Sequence, residues 1–253
     1  MSLGLDPIST TQKICNFNCT YCQLGCLGSA DAVSERRVFI PVMELVEELK
    51  ALDTDVAIDY MTFSGNGEPT LAANLGEMIQ AVKVIRADRV RPAEKIAIIT
   101  NGTLLGRKDV QADLRDADLV LVKLEAADER IFQAVNRPAA GVSLACVIAG
   151  IKEFKATFKG RFALQVMFVE DNKSQAQAIA RLAQEIGADE VQINTPLRKS
   201  FVKPLSPAEM LELKKFFAGQ NVRSVYEEDK KDYHPFDEQA TVRRHGQFKG
   251  QQI

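Results

Sequence analysis

Apolar residues along the chain gather into short blocks of strand length, separated by longer stretches in which they recur every third or fourth position. Six blocks read as strands: Ile8–Ile14, Ala57–Phe63, Lys95–Thr100, Leu119–Leu124, Phe162–Val169 and Glu190–Asn194. Between them, helical period marks Val42–Leu52, Leu75–Arg86, Lys108–Arg115, Ser143–Phe158 and Lys173–Ile186, and a last helix, Pro207–Phe217, follows the sixth strand. Ser206 stands where that helix needs an N-cap, and Gly187 where its predecessor ends. Strands alternating with helices imply right-handed crossovers and a parallel sheet. Six such units fall short of the eight that close a barrel, so an α/β partial (β/α)6 barrel is predicted, with ligands at the C-terminal ends of its strands. Periodicity by itself does not separate this from a flat doubly wound sheet.

The pattern changes near residue 225. Glu227-Glu228-Asp229-Lys230-Lys231-Asp232 is a charge run, and Gly/Gln-rich sequence follows it. With few apolar residues to bury, 226–253 reads as a mobile or loosely docked C-terminal tail beside a barrel spanning 1–225. No internal repeat is present.

Composition narrows the classes. The chain has 253 residues, 46% hydrophobic and 26% charged, which is ordinary for a soluble globular protein. Lys and Arg number 32 against 34 Asp and Glu, a formal charge of −2, so no global attraction to nucleic acid is expected. No apolar run approaches the roughly 20 residues that span a bilayer. Met1 to Pro7 lacks the basic and apolar regions of a secretory signal. The expectation is a cytoplasmic protein with no membrane partner.

Four of the five cysteines, Cys15, Cys19, Cys22 and Cys26, crowd into one short segment, while Cys146 stands apart. Scattered disulfides do not cluster in this way, whereas the ligands of one metal site do. Cys15, Cys19 and Cys22 have the spacing C-x3-C-x2-C in a stretch without helical period. Thiolates are the usual ligands of iron–sulfur clusters, and three of them on a four-iron cube leave one iron open to bind something. With Cys26 included, the segment also suits a four-ligand zinc or ferredoxin-like site, and spacing alone leaves that alternative open. Cys146 lies in the apolar stretch Val142–Ile151 and is expected to be a small core residue.

The second strand runs into Ser64-Gly65-Asn66-Gly67-Glu68-Pro69. Glycines at a strand end permit positive φ and let backbone approach a ligand closely. Glu68 adds a carboxylate, and a backbone edge with one acid suits the ammonium of an amino acid. A Gly-rich turn alone is an ordinary turn; following a cysteine loop by one strand, it carries more.

Together these motifs resemble the radical S-adenosylmethionine (SAM) superfamily: Cys15, Cys19 and Cys22 with Tyr21 before the third cysteine, then Gly65-Asn66-Gly67-Glu68-Pro69 after strand two. The resemblance runs from about Leu5 to Phe217. Thr100-Asn101-Gly102, Asn136-Arg137-Pro138 and the segment Val191 to Pro196 fit a subgroup of iron–sulfur oxidoreductases similar to wyosine-forming tRNA enzymes. It implies a [4Fe–4S] cluster on the three cysteines and SAM bound to its open iron. Gly65–Pro69 corresponds to the family's glycine-rich motif, with Glu68 near the SAM amine and Asn66 inserted between the glycines. By the same resemblance, Tyr21, Ser64, Gly65, Asn66, Gly67, Thr100, Asn101, Lys123 and Gln165 are cofactor-binding candidates.

Alternation along the strands supplies a polar interior: Tyr60, Thr62 and Ser64; Leu119, Leu121, Lys123 and Glu125; Gln165 and Met167; Gln192 and Asn194. A packed core would not choose Lys123, Gln165 and Gln192 unless they had partners, either one another or a ligand. Arg198, just past strand six, could hold a carboxylate or phosphate, or be a surface charge. A Schiff base at Lys13 or Lys123 has no other support.

The function expected is radical SAM catalysis: reductive cleavage of SAM, fed by a low-potential donor of flavodoxin or ferredoxin type, followed by hydrogen abstraction from an unidentified substrate. A small molecule or peptide is favoured over tRNA, because the charge is near neutral and no cysteine precedes Cys15 to hold a second cluster. Alternatives are a glycyl-radical-enzyme activase, a wyosine-type tRNA enzyme and, outside catalysis, an iron–sulfur or zinc-binding module.

Overall fold

A computed structural model describes residues 2–25, 35–52, 58–87, 95–198 and 200–227. Seven strands are present among them: β1 (Ser2–Leu5), β2 (Tyr60–Phe63), β3 (Lys95–Thr100), β4 (Leu119–Lys123), β5 (Arg161–Met167), β6 (Glu190–Asn194) and β7 (Val222–Ser224). The helices are α1 (Val42–Ala51), α2 (Leu75–Ala87), α3 (Lys108–Leu114), α4 (Glu129–Asn136), α5 (Leu144–Thr157), α6 (Ala176–Ile186) and α7 (Pro207–Lys214). Every neighbouring strand pair is parallel and the order is β1-β2-β3-β4-β5-β6-β7. A strand order that never reverses winds the chain in one direction. With right-handed crossovers it keeps the helices on one face, which selects the partial barrel over the doubly wound sheet.

Strand alternation divides the sheet. Met61, Phe63, Ile96, Ile98, Val120, Val122, Phe162, Leu164, Val166, Val191 and Ile193 are all essentially inaccessible and belong to one cluster with Leu75, Met78 and Ile79 of α2 and Val147, Ile151 and Phe154 of α5. The other set turns inward. Register aligns Lys123, Gln165, Gln192 and Arg223 as one row across β4, β5, β6 and β7.

A seventh strand, Val222–Ser224, adds to the six expected, and three further readings of the sequence change. The first strand is Ser2–Leu5, whose Leu3 and Leu5 are buried, whereas Ile8–Ile14 is a loop holding a single bridge from Ile14 to Gly67. Pro7 interrupts any ladder there, and the polar run from Ser9 to Lys13 offers no buried face. Helix α4 went unrecognised because it is only two turns long, although Ile131, Phe132 and Val135 bury one stripe and Asp128 caps it through Ile131 N. Cys146 is exposed on α5, on the face away from Leu144, Val147 and Ile151, so it is not a core residue. Cys26 and the tail beyond residue 227 lie outside the described residues. No helix among the described residues is long and apolar enough to cross a membrane.

Candidate functional site

The cysteine segment connects β1 to α1 at the C-terminal end of the sheet, and its backbone is tied on both sides. On one side, Ile14 N donates to Asn66 O at 2.8 Å and Glu68 N to Ile14 O at 2.9 Å, as an added rung of parallel sheet. A Cβ on Gly67 would fall on the Ile14 carbonyl, and one on Gly65, where φ is +137°, would meet the Asp6 carboxylate. The close approach that glycine permits at Gly67 is therefore made by the chain itself. On the other side, the last carbonyls of α4 accept from the loop: Val135 O from Thr20 N at 2.9 Å, and both Asn136 O and Arg137 O from Asn18 N at 3.0 Å. Those carbonyls have no partner within the helix, so the loop completes the helix end. Phe17 packs edge-on against Phe132 at 5.4 Å, which fixes the spacing.

Cys15 and Cys19 are buried and Cys22 is half-buried; all three are free thiols. Cys15 Sγ accepts from Phe17 N at 3.4 Å and Asn101 Nδ2 at 3.8 Å, and Cys19 Sγ from Asn136 Nδ2 at 3.7 Å. Burial, reinforced by the charge of Glu68, pushes the Cys15 thiol far above its ordinary value. Burial, with Glu125 next in effect, pushes Cys19 up to about 11. Binding to a metal cation displaces the proton of such a thiol. Among the described residues no three Cys, His, Asp or Glu side chains, the three cysteines included, are gathered closely enough to hold a metal ion; thiolates are the usual ligands of iron–sulfur clusters.

Two buried glutamates flank the loop. Glu68 accepts from Thr70 N at 3.1 Å, from the Thr70 and Thr100 hydroxyls at 2.6 Å each, and from Asn101 N at 2.7 Å. Its burial raises the carboxyl above the ordinary range, and the four donors oppose that shift. Asn101 continues the network, donating to Asn16 Oδ1 at 2.6 Å and accepting from Thr103. The second glutamate, Glu125, follows β4 and accepts from Asn136 Nδ2 at 2.9 Å.

Tyr21 is buried, its ring 5.0 Å from Lys123 Nζ, and its hydroxyl makes no hydrogen bond of normal geometry although Cys19 and Glu125 stand close enough to push its ionisation up. Lys123 Nζ donates to Gln165 Oε1 at 3.1 Å, Gln165 to Gln192 at 3.3 Å, and Gln192 to Glu190 at 2.8 Å. The inward polar row thus satisfies itself in part. Asn66 donates to Thr10 O at 2.6 Å, while half-buried Ser64 borders the turn through its backbone bond to Leu5 O. Arg198 reaches Gln23 in the cysteine loop at 3.1 Å, and Lys13 reaches Gly25 O at 3.3 Å.

Among the described residues, five of the six buried side-chain atoms without a hydrogen-bond partner of normal geometry lie at this end, namely Thr20 Oγ1, Tyr21 Oη, Asn66 Oδ1, Glu125 Oε1 and Asn136 Oδ1, the sixth being Asn74 Oδ1. Buried polar groups are normally satisfied, so such a concentration around three cysteines fits a polar group bound there. A cavity of about 390 Å³ lies toward the N-terminal ends of the strands, between Tyr60, Thr62, Leu121, Arg161, Glu190 and Gln192. Glu190 is bound there by Arg161 at 2.5 Å, and the cavity holds none of the cysteines.

Of the residues singled out in the sequence, Cys15, Cys19, Cys22, Glu68, Asn101, Lys123 and Gln165 lie in this network. Asn16 is new to it, while Glu125 is legible in the sequence as an inward-facing residue of strand four and Asn136 as part of Asn136-Arg137-Pro138. Asn136-Arg137-Pro138 was the available signal, since a left-handed Arg137 (φ 46°) closing a helix marks a constrained turn.

The sequence profile of the Radical SAM superfamily matches residues 9–183. A UPF0026 protein of Synechocystis sp. is 36% identical over 205 residues, covering 81% of this chain and 72% of that protein. A UPF0026 protein of Methanocaldococcus jannaschii is 32% identical over 223 residues, covering 86% and 66%. A probable GTP 3',8-cyclase of Metallosphaera sedula is 29% identical over 187 residues, covering 73% and 53%. Among solved structures, Streptococcus suis SuiB bound to S-adenosylmethionine aligns with TM-score 0.65 at 16% identity, covering 88% of this chain and 50% of that one. The structure of TYW1 with a lysine-pyruvate adduct bound aligns at 0.62 with 14% identity, covering 83% and 71%. Identities this low speak for the fold, and the chain spans about half the length of SuiB and of the cyclase.

Proposed function

Because this chain belongs to the radical SAM superfamily, a [4Fe–4S] cluster and SAM are its cofactors, and we propose that Cys15, Cys19 and Cys22 hold the cluster of an enzyme that abstracts hydrogen from a substrate. The observation that carries this reading is the cysteine loop itself, with two buried thiols facing one buried glutamate each and backbone clamps on both sides. When bound, the cluster and SAM supply a 5′-deoxyadenosyl radical.

The chain's own residues then bind, orient and shield. Glu68, held by four donors, and the exposed peptide edge at Gly65 are suited to the SAM ammonium. Asn101, Lys123 and Gln165 offer donors to a carboxylate or ribose from the inward face, and Tyr21 forms an apolar wall beside Lys123. Thr100 acts by holding the Glu68 carboxylate. The low-dielectric interior of the barrel excludes water from a reactive species. No side chain is needed as acid or base for SAM cleavage.

The reaction is read as an oxidoreductase step in the cytosol, fed by a flavodoxin- or ferredoxin-type donor. Its substrate is a small molecule or peptide rather than tRNA, since the net charge of −2 supplies no electrostatic pull toward a polyanion. Anaerobic reconstitution followed by dithionite reduction tests the proposal. Iron and sulfide in the ratio of a four-iron cube, 5′-deoxyadenosine release, and loss of both in Cys15→Ala, Cys19→Ala and Cys22→Ala are expected. Tightly held zinc, or SAM left intact by fully reduced protein, would overturn it.

A further inference from the structure

We propose that Glu125 and Asn136 are positioning residues that orient Cys19 and set the reduction potential of the cluster it holds; this rests on the assignment of Cys19 as a cluster ligand. The two amide protons of Asn136 have two separate acceptors: Glu125 Oε2 at 2.9 Å and Cys19 Sγ at 3.7 Å. The carboxylate therefore fixes the plane of the amide, and the amide presents its second proton to sulfur. The same residue closes α4, and its backbone carbonyl accepts Asn18 N, so one residue holds both the thiol and the backbone just ahead of it. Glu125 is fixed in turn, because Asn172 donates to its backbone carbonyl at 2.9 Å.

Stability alone does not account for this arrangement. Glu125 is 2% exposed, its ion-pair partner among the described residues is Lys123 at 3.8 Å, and Oε1 has only the Tyr21 hydroxyl beside it, with no hydrogen bond of normal geometry. A buried carboxylate so thinly compensated is costly, and an apolar residue there would serve the fold better. What the carboxylate does is place negative charge beside a cluster sulfur.

Reduction adds an electron to the cluster, and the two members act on it in opposite directions. A nearby carboxylate disfavours the added charge and lowers the potential, whereas an N–H···S hydrogen bond favours it and raises the potential. A residue pair that merely filled space would give no such opposition.

The test is an EPR-monitored redox titration of reconstituted protein without SAM. Glu125→Gln removes the charge while keeping an acceptor, and should raise the reduced-to-oxidised ratio at fixed poise by roughly tenfold, about 59 mV for one electron. Asn136→Leu should move the ratio the other way. Wild-type iron content with an unshifted potential in Glu125→Gln, or shifts of the same sign in both variants, overturns the proposal. If Asn136→Leu does not assemble, Glu125→Gln decides by itself, its acceptor being retained. Failure of wild-type protein to bind iron, or a Cys19→Ala variant with the full cluster signal, would instead sink the ligand assignment.

Discussion

The backbone carbonyl of Ile14 occupies the place where a side chain on Gly67 would begin. Ile14 immediately precedes Cys15, and Gly67 immediately precedes Glu68, so this contact brings the cysteine loop and the glycine-rich turn together. Gly67→Ala must force the two backbones apart. Overpacking of this kind costs about 1–3 kcal/mol, and the cysteine loop should lose its rung to the sheet. A lower thermal midpoint and sub-stoichiometric iron after reconstitution are expected; a full cluster at wild-type stability would show that the contact is dispensable.

Lys123 joins the inward polar row to the cysteine end. It bonds Gln165, faces Glu125 at 3.8 Å and covers the Tyr21 ring. Lys123→Met preserves length but leaves the half-buried acceptor of Gln165 and the buried Glu125 carboxylate without this partner. The expected loss is about 1–3 kcal/mol of unfolding free energy, measured by urea denaturation, with retention of the fold by circular dichroism.

Arg137 adopts φ 46° at the end of α4 with its side chain exposed. A left-handed conformation costs an ordinary residue about 1–2 kcal/mol, and glycine avoids most of that. Arg137→Gly should leave stability unchanged or raise it by roughly 1 kcal/mol. If activity falls while stability does not, the guanidinium has a task beyond closing the helix.

Glu209 completes a capping box on α7, accepting from Ser206 N at 2.9 Å and Ser206 Oγ at 2.8 Å, and it also binds Lys173 at 3.0 Å. These bonds, the Ser206 backbone first, depress its carboxyl to about 2 from an ordinary 4.5. A lowered carboxyl stabilises the folded chain above its unfolded value, and that contribution disappears as pH falls toward 2. Glu209→Gln should therefore melt below wild type at neutral pH, with the gap closing between pH 4.5 and 2. A gap that does not vary with pH would assign the effect to packing.

Much of this could be read from residue order. The strands Lys95–Thr100 and Glu190–Asn194 are legible to the residue, because the first centres on an unbroken apolar run, Ile96–Ile99, and the second alternates polar Glu190, Gln192 and Asn194 with apolar Val191 and Ile193. The cysteine spacing and the Gly65–Glu68 turn identified the chemistry, because ligand type and backbone freedom are local properties of a few residues. Strand order, by contrast, is a global property. Only the assembled sheet, running β1 to β7 without reversal, chose an open barrel over two-sided winding. The displacement of the first strand to Ser2–Leu5 and the burial of Cys19 beside Glu125 were likewise decided by packing. Residues 106 and 117 positions apart in sequence, such as Glu125 and Asn136 relative to Cys19, become neighbours only when α4 docks its carbonyl end on the cysteine loop. Spacing along a chain determines which groups are available; the dielectric and hydrogen bonds that give them their properties arise from elements that no local pattern connects.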